Sequence, residues 1–168
     1  GKVHIAADIG CHAFATFEPF SMGNSILGYG MSLASAAAVA PFQDKRSISI
    51  MGDGGFWHNG LTSGVGNAVF NKNDGLTIVI DNNYAAATGG QDLLSGKNAV
   101  DNRSPNTPSE RAVRGIGLGG AKTVKTYYIG GMRAKRKEAM EAKGFGQKIL
   151  VAQSECMLNR ERREKPIV

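Results

Sequence analysis

Cysteine is scarce in this sequence. Its two copies, Cys11 and Cys156, lie far apart and form no CxxC pair, which argues against a cysteine-ligated zinc or iron–sulfur site within the chain. Reduced thiols in a cytoplasmic compartment fit this usage best. Long apolar runs are missing as well: none approaches the roughly 18 residues that a membrane span needs, and no basic-plus-apolar signal segment opens the chain. A soluble, non-secreted domain is the expectation. Charged residues make up only 20%, with a net charge of +6. The Lys and Arg residues concentrate after Arg103 and do not alternate with aromatics on a platform, so they read as a solvated or partner-facing surface and not as a nucleic-acid interface. The excess could also draw in anionic ligands.

With 42% hydrophobic residues in 168, the chain can build one ordinary domain with a full core. Gly1 at one end and the charged run Asn159 to Lys165 at the other read as cuts, so residues 1–168 are expected to be a single domain of a longer protein.

Val3 to Ala7 reads as a buried strand running into Asp8-Ile9-Gly10. The Ala-, Ser- and Met-rich stretch Gly23 to Ala40 reads as a closely packed helix, with Gly28 and Gly30 weakening its start. Ser47 to Met51 is a second strand, Asn59 to Asn71 a helix, and Leu76 to Ile80 a third strand. Strand, helix and strand in that order imply a right-handed parallel unit. Tyr84 to Pro108 is loop-like, with turn formers around Asn102 to Pro105, and so long a loop is usually functional. Thr107-Pro108-Ser109-Glu110 reads as a capping box with proline at the first helical position. Thr123 to Ile129 is a fourth strand, Arg133 to Lys143 a charged helix and Lys148 to Gln153 a fifth strand. The fold class is α/β, a mainly parallel sheet flanked by helices.

Ligands of such sheets sit beyond the carboxyl ends of the strands. There the second strand runs into Gly52-Asp53-Gly54-Gly55 and the third into Asp81-Asn82-Asn83. Adjacent strands would bring Asp53 and Asn82 together, offering a carboxylate and an amide oxygen, hard ligands suited to Mg²⁺ or Ca²⁺. Two protein oxygens make a poor cage, and phosphate oxygens commonly complete a Mg²⁺ shell. Gly54 and Gly55 would let the backbone approach phosphates, and the following helix would aim its free N–H groups at them. The residues thus predict a metal–diphosphate site. The bland reading, a helix cap and a turn former at two strand ends, competes for the pair in isolation.

At these positions the sequence resembles the thiamine diphosphate enzymes, whose signature is Gly-Asp-Gly followed later by an Asn pair or Asp-Asn. Asp8-Ile9-Gly10-Cys11, Phe56-Trp57-His58-Asn59-Gly60 and Asp81-Asn82 reaching Thr88-Gly89-Gly90-Gln91 narrow the likeness. Together they resemble the 2-oxoacid:ferredoxin oxidoreductases, most of all indolepyruvate ferredoxin oxidoreductase. The likeness is strong from Asp8 to Gln91 and weaker at Ala152 to Cys156. It implies the thiamine diphosphate-binding fold, with Mg²⁺ held by Asp53, Asn82 and the main-chain carbonyl of Tyr84. Asn83 is the competing ligand. By the same resemblance Cys11, Gly52, Gly54, Gly55, Phe56, Ala85 and Ala86 would also line the cofactor, and His58 would face the diphosphate or the substrate. Gly54-Gly55 stands where Ser-Thr is expected, and Ala85-Ala86-Ala87 is blander than the usual loop.

The implied activity is oxidative decarboxylation of a 2-oxoacid, such as indolepyruvate or another arylpyruvate, to an acyl-CoA. The implied partners are coenzyme A, ferredoxin and the pyrimidine-binding domain or subunit that carries the glutamate tuning the cofactor. Iron–sulfur clusters would belong to other domains or subunits. Two further readings stand beside this one, a non-oxidative thiamine-dependent decarboxylase and a non-catalytic binding or assembly module. Gly115 to Gly120 formally matches GxGxxG, but a helix-like run precedes it instead of a strand, so a glycine-rich turn is expected. Cys11-His12 does not read as a metal pair, since adjacent side chains do not readily face one ion.

Overall fold

The computed structural model describes residues 3–96 and 107–164. Its sheet consists of β1 (Ile5–Ala7), β2 (Ser25–Ile26), β3 (Ser47–Gly52), β4 (Gly75–Asp81), β7 (Ala121–Lys125) and β8 (Lys148–Gln153), all parallel, in the order β2-β1-β3-β4-β8-β7. A small antiparallel pair, β5 (Tyr84–Ala85) and β6 (Gln91–Asp92), stands apart in what the sequence marks as loop. The expected turn formers around Asn102 to Pro105 lie outside the described residues.

Side chains alternate between the two faces of a strand, and the core divides accordingly. Met51, Val79 and Val151 point to one face, where they meet Leu33, Phe56, Val65 and Val113. Ile48, Leu76 and Leu150 point to the other, against Val124, Met132 and Met140. Helix α1 (Ser32–Val39), the helical run over residues 53–70 and α3 (Ser109–Gly115) supply the first group, and α4 (Ile129–Glu141) covers part of the second. Burial on both faces is why the central strands read as near-continuous apolar runs. A fifth helix, α5 (Met157–Glu164), forms where the sequence suggests a solvated connection.

The largest departures surround the glycines. Gly23 to Ala40 is not one helix: Ser25-Ile26 pairs with Ala6-Ala7 as an edge strand, and α1 starts only at Ser32. Gly30 breaks the run, with φ of +78° and a position where a Cβ would stand 2.6 Å from the Gly55 carbonyl oxygen and 2.8 Å from Gly60 N. The helix after β3 starts at Asp53, six positions before the expected start at Asn59. This element, α2, is α-helical over Asp53–Gly55, π-helical over Phe56–Gly66 and α-helical again over Asn67–Phe70. Glycine at position 60 lets it press on β3, because a Cβ there would lie 2.7 Å from the Met51 sulfur.

The fourth strand is also shifted. It ends at Lys125, and Tyr127, Tyr128 and Ile129 are exposed as the chain turns into α4. Pro108, extended at φ −63° and ψ 133°, is itself the cap of α3, and no side-chain hydrogen bond completes the expected capping box. Gly115 closes α3, and the glycines after it form a turn, as expected from the missing strand.

Candidate active site at the carboxyl end of the sheet

From β1 the chain steps outward to β2, and the next strand, β3, is laid on the opposite side of β1. That reversal leaves a crevice beyond the carboxyl ends of β1 and β3, the usual ligand position in an open α/β sheet. A cavity occupies it, lined by Ile9 to His12 after β1, Tyr29, Gly52 to Gly55 after β3, and Asn82 with Tyr84 to Thr88 after β4.

Asp53 is the centre of this site. It is 2% exposed, and its Oδ1 accepts a hydrogen bond from Gly54 N at 2.9 Å. Its Oδ2 accepts from Asn82 N at 3.0 Å and from Tyr84 N at 3.2 Å, so one carboxylate ties the end of β3 to the turn after β4. Asn83 makes that turn possible with φ of +65°, a left-handed conformation that asparagine tolerates better than most residues. The turn brings Asn82 Oδ1 within 3.2 Å of Tyr84 N and places Asn82 on the cavity wall. Asn83 lines a neighbouring hollow instead, next to Gln153 and Cys156.

The register pairs Gly52 with Ile80 and therefore sets Asp53 beside Asp81, itself buried. Burial first, and the Asp81 carboxylate second, push Asp53 up from 3.8 to about 7, against the pull of the backbone N–H groups around it. Two crowded carboxylates are a poor anion site on their own. Among the described residues no Lys or Arg lines the cavity, so a cation bridging a diphosphate to the carboxylates would supply the positive charge. Asp53, Asn82 and the Tyr84 carbonyl are oxygen donors of the kind Mg²⁺ takes, and the donor set fits that ion. Among the described residues no group of three His, Cys, Asp or Glu side chains is disposed to hold a metal by itself.

Asp8 has a different job. Fully buried, it accepts hydrogen bonds from Ile9 N and Gly30 N at 2.8 Å and from Ser32 N at 3.0 Å, fastening the end of β1 to the first turn of α1. The glycines after Asp53 answer to this clamp. A Cβ on Gly55 would lie 3.1 Å from Asp8 Oδ1, and one on Gly54 would lie 2.1 Å from the Tyr29 hydroxyl.

The remaining expected residues divide. Cys11, exposed and free, lines the cavity together with Gly52, Ala85 and Ala86. Phe56 does not: it is fully buried in the core, edge-on to Trp57. His58 is exposed, outside the cavity lining, and its ring lies 5.1 Å from that of Tyr29. Tyr29 and His12 also line the cavity; the sequence gives Tyr29 no role, and it brings His12 forward only as a poor metal pair with Cys11. Burial, more than the opposing pull of Asp8, pushes His12 below the usual histidine value, and its buried Nε2 has no hydrogen-bond partner among the described residues. Neither carries a motif; only the folding back of Cys11–Thr16 and of the loop before α1 brings them in.

Residues 8–146 match the family described as thiamine pyrophosphate enzyme, C-terminal TPP binding domain. The chain belongs to that family. Thiamine pyrophosphate is thiamine diphosphate, so the chain is a TPP-binding domain. The chain is similar to the indolepyruvate oxidoreductase subunit IorA of Methanothermobacter thermautotrophicus, at 28% identity over 94% of this chain and 25% of that protein. IorA of Thermococcus kodakarensis is 27% identical over 94% of this chain and 26% of its own length. The domain thus spans about a quarter of these curated relatives.

Among solved structures, the fold is similar to that of a 2-oxoglutarate:ferredoxin oxidoreductase from Magnetococcus marinus, with a TM-score of 0.79 at 17% identity over 93% of this chain and 55% of that one. Benzoylformate decarboxylase from Polynucleobacter necessarius shares it at a TM-score of 0.66 and 16% identity, over 92% of this chain and 30% of the other. Both likenesses concern the fold of the TPP-binding domain.

Proposed function

We propose that this TPP-binding domain is the diphosphate-holding half of the active site of a 2-oxoacid oxidoreductase, acting on indolepyruvate or a related arylpyruvate. Asp53 carries this reading. It is a buried carboxylate at the switch point, bonded to the Asn82–Tyr84 turn, in a phosphate-sized crevice without a cationic side chain. Mg²⁺ on Asp53, Asn82 and the Tyr84 carbonyl would supply the missing positive charge and take phosphate oxygens as its other ligands. Thiamine diphosphate, once bound, supplies the electron sink for loss of CO₂ from a 2-oxo acid.

This chain's residues anchor, orient and exclude water. The Asn82–Tyr84 turn would hold the metal, Ala85 and Ala86 give an apolar wall, and Cys11 lines the same crevice. His58 would lie at the rim, oriented by Tyr29, where it could meet the substrate. The pyrimidine-binding domain or subunit would complete the site from the opposite side. Exposed Ile9, Phe14, Phe17 and Phe20, on and beside the segment that lines the crevice, offer it an apolar seat. Coenzyme A as acyl acceptor and ferredoxin as electron acceptor are carried over from the resemblance to the 2-oxoacid:ferredoxin oxidoreductases, and two free thiols suit a cytoplasmic setting.

The test uses the assembled enzyme. With indolepyruvate, coenzyme A and a ferredoxin-type acceptor, the reading predicts acceptor reduction in step with acyl-CoA formation. Aldehyde release without acceptor reduction would assign the domain to a non-oxidative decarboxylase.

A further inference from the structure

We infer that Tyr29 is a cofactor-binding residue whose hydroxyl donates a hydrogen bond to the diphosphate, doing the work that a side chain at position 54 cannot do in this chain. The inference rests on the metal–diphosphate reading above.

Three observations lead to it. Tyr29 comes from the loop before α1 and reaches across to the far wall of the crevice, where its hydroxyl stands 2.1 Å from the place a Cβ on Gly54 would take. Position 54 directly follows the metal-site aspartate, so this oxygen sits in the volume in which a hydroxyl side chain there would meet the phosphates. Its neighbour across that volume is Ala85, 3.2 Å from the same Cβ position, which offers no polar atom from its side chain. Second, no described residue serves as a hydrogen-bond partner of the Tyr29 hydroxyl, whereas its ring is held in place against His58. The donor is oriented and unspent.

Third, among the described residues the crevice offers no Lys or Arg, which leaves neutral donors to satisfy the phosphate oxygens that the metal does not take. Tyrosine suits that role here. Burial, together with the Asp53 and Asp8 carboxylates, raises its ionisation above the ordinary value of 10.0, so it remains a protonated donor at any physiological pH.

The geometry makes the two positions exchangeable. With Tyr29→Phe the oxygen is gone, and the nearest ring carbon lies 3.3 Å from the Cβ position and Ala85 Cβ 3.2 Å, so serine fits once these neighbours give by a few tenths of an ångström. The experiment measures thiamine diphosphate binding with Mg²⁺ by titration calorimetry, on the full-length protein with its pyrimidine-binding half. Tyr29→Phe is expected to weaken binding about ten- to a hundredfold, the worth of a hydrogen bond to a charged acceptor. The melting temperature of the cofactor-free protein should not change, and thiamine, which has no phosphate, should bind both proteins alike. Gly54→Ser alone should also bind poorly, because the new side chain strikes Tyr29. The combined Y29F/G54S protein should bind more tightly than either single variant.

Undiminished affinity in Tyr29→Phe, an equal loss for thiamine, or a combined variant no tighter than Tyr29→Phe would overturn the inference. Asp53→Ala separates it from the reading beneath it: wild-type protein that does not bind, or binds no better than Asp53→Ala, overturns both.

Discussion

Asp53 holds a proton that its unfolded counterpart releases. Its carboxyl titrates at about 7 in the cofactor-free fold against 3.8 in the open chain, so between those values the folded state binds more protons than the unfolded one. Stability should therefore fall as pH rises through that window, as the buried pair with Asp81 is forced to ionise. Urea midpoints of the cofactor-free protein near pH 5 and pH 8 should show it, and Asp53→Asn should flatten the difference. A divalent cation competes with the same proton, so Mg²⁺-dependent cofactor affinity should climb with pH up to about 7 and then level off. Among the described residues, the hydrogen bonds that Asp8 accepts all come from backbone N–H groups. Asp8→Ala would leave these donors unpaired and should cost at least about 3 kcal/mol in a denaturant titration.

The elements that build the crevice meet at Gly30. It has φ of +78° and stands against the Gly55 carbonyl and Gly60 N, where neighbouring backbone leaves no room for a methyl group. Gly30→Ala should destabilise the domain by about 2 kcal/mol or more, through strain and through separation of α2 from the loop before α1. Thermal or denaturant unfolding would measure it. This junction also marks where sequence reading ends. The strand ends at Asp53 and Asp81 were legible because apolar runs stop abruptly at acid and amide residues, and the α/β class followed from their alternation. The approach of Gly30 to α2 was not, because it depends on contacts between segments far apart in the chain. Propensity merged Ser25-Ile26 with α1, although pairing with β1 makes them a strand. It also delayed α2 to Asn59, since Gly54 and Gly55 discourage a helix that tertiary packing nonetheless starts at Asp53. Tyr29 carried no signal until the loop folded over Gly54.

At the scale of the whole molecule, the proposed function makes the chain one wall of a composite site. Its IorA relatives are about four times as long, and the crevice opens beside the exposed aromatic ridge of Phe14, Phe17 and Phe20. The central claim is that Asp53 holds a metal that in turn holds the diphosphate. Calorimetric titration of the assembled protein with thiamine diphosphate tests it most directly, with and without Mg²⁺, alongside Asp53→Ala. The account predicts saturable binding that requires the metal and disappears in the variant; equal binding by Asp53→Ala, or binding indifferent to Mg²⁺, would contradict it.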